Sequence, residues 1–432
     1  MNNLLFTIRR QEFAVFLCCA TVVSLVFSRF GLTLCMIFFV AMSLFSWQKE
    51  RKNPLRWNPD LRRTCHHFFH YPPYYLLLLF FLLVLVSGLW SESLPFWSER
   101  LRIRLPFLFL PFAFAALPRF SGRQFLGILF FFLLVISLTT VGILINYAAH
   151  YQEITALVWH GQPLPMPANH VRFSLFLAFA SAIGTVLYYK NFYIKNIFER
   201  KIIASLTLFC IVGLHLLSVR SGLVVLYAEF FLLAMFYAFH SGRWVAALSF
   251  VAFLSIVPVV AYFAVPAFEA RVEYMRLDAE QYKAGTGSNY SDSERLTSIV
   301  TGIKVGNQNP VFGVGMGDLM IEMKKIYHRD YPGFSDFKIP HNEWVMTYAS
   351  TGGVGLILFG IAFFVPFFYQ KNYKNVLFSC FYLLIFLSFM VEATIETAVG
   401  TAFYVFFLLL GLHYLKNEPP PTAIADSATA NN

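Results

Sequence analysis

Three polar residues in the second half of the chain have types and positions that could bind an anion and move a proton. Arg220 lies in a short polar turn between two apolar runs, and Arg295 lies in the first turn of a predicted helix. A guanidinium can hold a phosphate by two parallel hydrogen bonds, and a cation that opposes a helix dipole indicates an anion nearby. His341 follows Pro340 just before another apolar run, where a helix start favours a neutral imidazole that can accept a proton. Together these residues predict an anion site with a general base.

Each of these residues also has a plain structural interpretation. Arg220 could extend from its turn to the edge of a membrane, because long cationic side chains reach polar surroundings along their apolar stems. Arg295 could pair with Glu294 or with another nearby acid, and His341 could be an ordinary residue at the start of a helix. The sequence alone leaves these alternatives open.

Further polar residues stand at the edges of apolar runs, where we predict contacts with a substrate. Arg172 begins one such run, and Asn342 follows His341. Glu392 and Glu396 lie at a corner between two runs, and carboxylates in apolar surroundings more often pair with an arginine than act directly. Three arginines before the fourth predicted span suit lipid headgroups or an anionic ligand. The predicted substrate-binding residues are Arg172, Asn342, Arg100, Arg102, Arg104 and Glu396.

Two other patterns resemble known sites by spacing alone. A cysteine and three histidines within residues 65–70 have the spacing of a metal site, but their segment is basic and contains no acidic partner. The glycine-rich residues 310–318 lack the strand and helix context of a nucleotide loop and predict a turn that leads into a helix. The net charge of +10 is dispersed along the chain instead of gathered on one soluble face. We therefore predict no metal, no cofactor and no nucleic-acid partner.

The elements that carry these residues are predicted to be membrane helices. The chain is 58% hydrophobic, 19% aromatic and 13% charged, whereas a soluble domain is about 25% charged. Several apolar runs approach or reach the roughly 18–20 residues that cross a bilayer. The sequence thus predicts an all-α integral membrane protein with about twelve transmembrane helices. The predicted spans are residues 12–28, 31–47, 73–91, 105–117, 124–147, 170–189, 202–219, 222–239, 244–266, 343–369, 375–392 and 398–415.

The fourth predicted span is short and contains two prolines, Pro106 and Pro111, so we expect it to be broken or to lie partly outside the hydrocarbon. Lysine and arginine accumulate in alternate segments between the spans, which is the positive-inside pattern. This pattern predicts that both termini are cytoplasmic. The three arginines before the fourth span would face outward and are an exception to the pattern.

The long polar segment, residues 267–342, is predicted to be a folded cap on the outer side, between the ninth and tenth spans. We expect helices over 268–283, 292–305 and 317–328, and Asp292 with Ser291 and Ser293 offers an N-cap for the second helix. The domain prediction is therefore residues 1–266 for nine spans, 267–342 for the cap, 343–415 for three spans, and 416–432 for a disordered cytoplasmic tail.

Several of these residues stand in an order that resembles a known family. The order is Arg220-Ser221-Gly222, Arg295, Pro310-X-Phe312-Gly313-X-Gly315, then Pro340-His341-Asn342-Glu343 and Gly352-X-X-Gly355. Over residues 205–410 this order resembles the O-antigen ligase and polymerase superfamily, as do the number of predicted spans and the position of the long loop. Glu392-X-X-X-Glu396-Thr397 resembles a variant of the C-terminal end of that family.

The resemblance implies a bacterial inner-membrane glycosyltransferase with a GT-C-like fold that works on the periplasmic side. Its donor would be a glycan on undecaprenyl diphosphate, and its acceptor a sugar hydroxyl of lipid A core or of another glycan. Arg220 and Arg295 would bind the diphosphate and His341 would take the proton, so no divalent metal would be needed. An O-antigen ligase is the leading interpretation, and a polysaccharide polymerase and a protein O-glycosylating enzyme are the alternatives. The rival class is a transporter, which is typically built from two related halves with its binding groups near the bilayer midplane.

Overall fold

The computed structural model describes residues 2–47, 55–159, 162–190, 192–284, 288 and 290–417, with side chains from residue 10 onward except at a few positions. The predicted disordered tail lies almost entirely outside these residues, as does the basic segment around Lys49. Long apolar helices make up most of the described chain. Nine of them are long and apolar enough to cross a membrane by length and composition. The prediction of an all-α multi-pass membrane protein is confirmed at this level.

Helices form in these apolar runs because hydrocarbon cannot hydrogen-bond a peptide group, so each backbone N–H must find a carbonyl within its own segment. The first group of helices is α1 (Asn2–Phe27), α2 (Arg29–Leu44), α3 (Leu61–Phe69), α4 (Pro72–Tyr75), α5 (Leu79–Ser87), α6 (Leu94–Ala115), α7 (Gly122–Ala149) and α8 (Tyr151–Trp159). The second group is α9 (His170–Lys190), α10 (Ile197–Leu217), α11 (Arg220–Ser241), α12 (Trp244–Ala264), α16 (Glu343–Phe368), α17 (Val376–Val391) and α18 (Ala398–Asn417). Short 3₁₀ turns at Leu76–Leu78, Gly88–Trp90, Tyr369–Lys374 and Thr394–Glu396 join some of them.

The longest polar segment contains three helices, as predicted. They are α13 (Pro266–Lys283), α14 (Ser291–Gln308) and α15 (Leu319–Asp330). We call residues 267–342 the cap. The N-cap prediction for the second of these helices is wrong, because Tyr290 occupies the N-cap position and its side chain makes no capping bond. Two antiparallel strands, β1 (Phe45–Trp47) and β2 (Leu55–Trp57), form a small hairpin that the sequence analysis did not predict.

The fourth predicted span is longer and less broken than expected. Helix α6 begins at Leu94 and continues to Ala115 through both Pro106 and Pro111. The three arginines predicted to stand outside the membrane therefore lie on the helix itself, with their side chains spread around it. Packing of α6 against α2, α5 and α18 decides which of them stay exposed.

The glycine-rich residues 310–318 fill a break in helix α16. Gly352 has φ 67°, and a Cβ at this position would lie 2.3 Å from the carbonyl group of Val311. Across the break, the N–H of Gly353 donates to the Pro310 carbonyl at 2.8 Å, and the N–H of Val314 donates to the Ala349 carbonyl at 3.0 Å. The predicted turn thus supplies hydrogen bonds to a kinked apolar helix and fixes the cap to the N-terminal part of that helix.

Candidate functional site

A cavity of about 490 Å³ lies between the first turns of α9 and α11 and the cap helices α13 and α14. Its lining is mostly polar, and cations outnumber acids. The titratable lining residues are His170, Arg220, Arg271, Tyr274, Glu294, Arg295 and Lys338. Two of the three residues singled out for chemistry, Arg220 and Arg295, therefore line one cavity although they are far apart in sequence. We call this space the cationic cavity.

Arg220 is the first residue of α11, and its guanidinium fork faces a carboxylate of the cap. Nη2 donates to Oδ1 of Asp292 at 2.8 Å, and Nη1 donates to Oδ2 of the same residue. Asp292 is available for this pairing because Asp278 of α13 caps α14 in its place, accepting the N–H groups of Asp292 and Ser293 at 2.7 and 3.1 Å. The predicted bidentate geometry is present, and it holds a carboxylate where we predicted a phosphate.

Arg271 is a cavity residue that the sequence analysis missed. Its Nη2 donates to the Gln162 carbonyl at 2.6 Å, and burial together with the nearby Arg220 lowers the pKa of its guanidinium. Nothing in the sequence separates it from Arg276, one and a half turns later, which pairs with Glu273 at 3.0 Å and is mostly exposed. Only the packing of α13 against α8, α10 and α14 turns one arginine inward and the other outward.

Arg295 lines the cavity and has no ion-pair partner among the described residues. The alternative that it pairs with Glu294 is wrong, because the Oε2 of that acid lies 3.8 Å from Nζ of Lys338. A guanidinium left without a counter-charge in a partly buried cavity favours binding of an anion. This supports the inference drawn from its position near the start of a helix.

His341 lies where the cap returns to α16, and Ser298 of α14 holds it on two sides. The Oγ of Ser298 is 3.1 Å from the His341 backbone N and 3.2 Å from its Nδ1. The single hydroxyl proton of Ser298 is donated to the Arg295 carbonyl at 2.7 Å, so the hydroxyl oxygen accepts from the imidazole. This network assigns the proton of the neutral ring to Nδ1 and leaves the lone pair on Nε2.

Burial lowers the pKa of His341, and the nearby Arg295 and Lys338 lower it further, while Glu392 acts in the opposite direction. The predicted neutral imidazole is therefore supported, and burial is the largest cause of the lowered pKa. Close packing fixes the position of the ring. A Cβ at Gly302 of α14 would lie 2.6 Å from Cγ of Pro340, so α14 can approach the residue before His341 only because a glycine is there.

Two other predicted residues lie at the same end of the bundle. Arg172 Nη2 is 3.8 Å from Oε1 of Glu392, so this pair matches the expectation that the carboxylates meet arginines. Asn342 caps α16, with Oδ1 accepting the Val345 N–H at 3.0 Å, and its Nδ2 donates to the Met390 carbonyl at 3.0 Å. The side chain of Asn342 thus ties α16 to the end of α17 and is engaged at both of its polar atoms.

The three arginines of α6 do not form one outward-facing group, and that prediction is corrected. Arg104 is 2% exposed and donates to Glu343 at 3.0 Å and also to Glu396. Arg100 donates to the Glu396 carbonyl at 3.0 Å, and its guanidinium lies over the ring of Phe96. Arg102 remains exposed. The structure thus places Arg104 and Glu396 in an interior ion-pair cluster, away from lipid headgroups.

One comparison relates part of the chain to a known family. Residues 203–360 match the family model for O-antigen ligase. This match supports the resemblance to the O-antigen ligase superfamily that the sequence motifs indicate. No curated protein matches the chain significantly.

The O-antigen ligase segment contains the cationic cavity's three arginines and His341, and it also contains the break in α16. It ends before Glu392 and begins after Arg172, so the ion pair between these residues is contributed from outside it. No group of three or more histidine, cysteine or acidic residues arranged to hold a metal occurs in the described part of the chain. The cationic cavity is lined by three arginines and a lysine, so its residues are suited to an anion.

Proposed function

We propose that this chain is an O-antigen ligase of the bacterial inner membrane. In this proposal it moves a glycan from undecaprenyl diphosphate to a sugar hydroxyl of lipid A core, on the periplasmic side. The observation that carries the proposal is the cationic cavity, in which Arg220, Arg271 and Arg295 face one another beneath a cap and next to His341. A diphosphate carries several negative charges in a small volume, and a preorganised set of guanidinium groups stabilises such charge in a reaction.

In the proposed reaction, the acceptor hydroxyl oxygen attacks the anomeric carbon of the first donor sugar. The bond from that carbon to the diphosphate oxygen breaks, and the electron pair leaves with undecaprenyl diphosphate. His341 Nε2 takes the hydroxyl proton, while Nδ1–H stays on Ser298. The arginines stabilise the departing diphosphate, a role that a divalent cation fills in other enzymes.

The proposed topology has twelve spans, both termini in the cytoplasm and the cap in the periplasm. It rests on the alternation of basic segments and on the position of the cationic cavity at one end of the helices. A reporter that is active only in the periplasm should be inactive when fused after Lys416 and active when inserted in the cap. Activity at the C-terminal fusion would overturn this topology.

A ligase must admit a lipid-anchored acceptor, and cations on the protein surface could meet the phosphates of that acceptor. Of the three arginines on α6, only Arg102 is exposed and could do so. The matching family supports a ligase- or polymerase-type enzyme. A polymerase and a protein O-glycosylating enzyme would use the same donor chemistry and would differ in the molecule that supplies the hydroxyl. The acceptor must therefore be identified by experiment.

Deletion of the gene tests the acceptor directly. If the protein is a ligase, cells should accumulate long, fully polymerised glycan on undecaprenyl diphosphate and should expose lipid A core without glycan. Glycan should be analysed by gel mobility after mild acid release, alongside a complemented strain. Single repeat units attached to the core would instead identify a polymerase, and loss of glycan from proteins alone would identify a protein O-glycosylating enzyme.

The rival class is a transporter, for which one residue is of interest. Glu229 lies half-way along α11, is fully buried, and has no hydrogen-bond partner for either carboxyl oxygen among the described residues. A transporter would use such a group near the midplane. However, Glu229 does not line the cationic cavity, where the arginines are gathered, and this distribution favours an enzyme that acts at the outer edge of the membrane.

Arg220→Lys should lower kcat/KM for the donor by about tenfold to a hundredfold, because an ammonium cannot reproduce the two parallel bonds of a guanidinium. Asp292→Asn should lower the donor KM, since the diphosphate would no longer compete with a carboxylate for Arg220. Arg276→Lys is the matched control, because that arginine is exposed and does not line the cavity. Steady-state kinetics with labelled glycan give kcat and KM for all three variants.

The metal-free character of the reaction is checked in the same assay. Adding EDTA should leave transfer unchanged if guanidinium groups alone stabilise the diphosphate. A loss of activity that magnesium restores would contradict this part of the proposal, while the effect of Arg220→Lys would remain a separate result.

A further inference from the structure

Two further spaces lie in a row beside the cationic cavity. A middle cavity of about 540 Å³ shares Gln162, Pro163 and His170 with it. The middle cavity in turn shares Pro165 and Met166 with a groove of about 600 Å³ between α1 and α7. Shared lining residues mean that the three spaces adjoin one another. We call this row of spaces, from the arginines to the groove on the outside of the helices, the path.

The chemical character of the path changes from one end to the other. The cationic cavity is lined mainly by polar surface, whereas the groove is lined mainly by apolar side chains of α1 and α7. Phe27 and Leu138 on the groove are 57% and 62% exposed, so this end is open to the membrane. Ligand sites commonly have volumes of about 300–1,000 Å³, and both ends of the path fall in that range.

A proline-rich segment forms one wall along the whole path. Residues 162–169 contain Pro163, Pro165 and Pro167 at every second position, and proline restricts both its own backbone and that of the preceding residue to extended conformations. Arg271 fixes one end of this segment through the Gln162 carbonyl. At the other end, Asn169 Oδ1 accepts the N–H of Val171 at 3.0 Å. The wall is thus stiff and attached to the cationic cavity.

We infer that the groove between α1 and α7 binds the donor's lipid tail beyond its first two isoprenoid units, which would lie in the middle cavity. The occupant is chosen by complementarity, because the path fits an amphiphile with an anionic head at the arginines and a long apolar chain leading away from it. This inference rests on the proposed function and adds to it the route of the tail. It implies that the enzyme distinguishes donors by the length of their prenyl chain.

Gly142 of α7 allows a direct test. It lines the groove, and a Cβ there would meet no atom within 4 Å, so Gly142→Phe would place an aromatic ring at the groove without a clash at its Cβ. Gly127 lies on the same helix, also has open space around its Cβ position, and does not line the groove. Gly127→Phe is therefore a matched control that changes helix propensity and apolar surface in the same way.

The experiment compares kcat/KM for one glycan carried on undecaprenyl diphosphate and on geranyl diphosphate, in full-length protein reconstituted in lipid. The wild-type enzyme and Gly127→Phe should prefer the long-chain donor by at least about tenfold. Gly142→Phe should lose this preference by reacting more slowly with the long-chain donor, while its kcat/KM for the short-chain donor stays unchanged. The apparent melting temperature of each variant shows whether it is folded.

The possible failures are distinguishable. If the wild-type enzyme transfers glycan but Gly142→Phe keeps the wild-type preference, the tail route is wrong and the proposed function stands. If Gly142→Phe raises the KM of the acceptor and leaves the donor preference intact, the groove binds acceptor chains and the inference is equally wrong. Absence of transfer from either donor by the wild-type enzyme, with acceptor present, would contradict the proposed function itself.

Discussion

Replacing His341 by alanine should lower the turnover number for glycan transfer by about 10²–10⁴, which is the usual contribution of a general base. Donor binding should change little, because the three arginines of the cationic cavity remain. Since burial lowers the pKa of His341, the wild-type rate should fall on the acid side only below the ordinary histidine value of 6.5. This acid limb should be absent from the residual activity of His341→Ala. A pH–rate profile of kcat measures both effects.

Two further variants separate a catalytic role of His341 from a structural one. Ser298→Ala removes the acceptor for Nδ1–H, so it should lower turnover less than His341→Ala does and should shift the acid limb. His328→Ala is the control, because that histidine is an exposed cap residue. Full turnover in His341→Ala would remove His341 from the mechanism. A melting temperature of His341→Ala well below that of the wild type would instead indicate that His341 has a structural role.

The second large effect is expected on stability. Arg104→Met should lower the free energy of unfolding by about 3–5 kcal/mol, the usual cost of breaking a buried ion pair by removing one partner. Arg104 contacts both Glu343 and Glu396, and all three side chains are at most 2% exposed. Without the guanidinium, two adjacent buried carboxylates would lack this counter-charge. The yield and the apparent melting temperature in detergent should both fall.

The position of this cluster connects stability with the site. Glu343 follows Asn342 directly, and its Oε2 accepts the Ile395 N–H at 3.1 Å, so the cluster fixes the start of α16 beside His341. Arg102→Met is the matched control on the same helix and should be neutral, because Arg102 is exposed. Adding Glu343→Gln and Glu396→Gln to Arg104→Met should restore part of the stability. A melting temperature of Arg104→Met equal to that of the wild type would contradict the importance of the cluster.

Most of the apolar helices could be placed from the sequence to within a few residues, whereas α1 and α6 begin well before their predicted starts. For example, α12 was expected over 244–266 and runs over Trp244–Ala264. The reason is that hydrocarbon requires each backbone group to be bonded within its own segment, so apolar length alone fixes a helix. Arg220 and His341 could be found for a related reason, since each is a polar group at the edge of an apolar run.

The partners of the charged side chains could not be predicted, because they depend on how the helices pack. Arg220 pairs with Asp292, 72 residues later in the chain, only because Asp278 caps α14 from another helix. Arg271 and Arg276 have the same chemistry and nearly the same local sequence environment, and the packing of α13 alone turns one into the cavity.

The ion-pair partners of Arg104, on an apolar helix, could not be predicted from the sequence either. Its sequence position predicts an outward-facing cation, yet the structure surrounds it with two acids that lie 239 and 292 residues away in the chain. The sequence by itself determined which segments are helices and which residue types stand at their ends. Only the tertiary structure decided which charges are paired in the interior and which remain available to an anion, because pairing energy depends on burial and on distances that no local pattern contains.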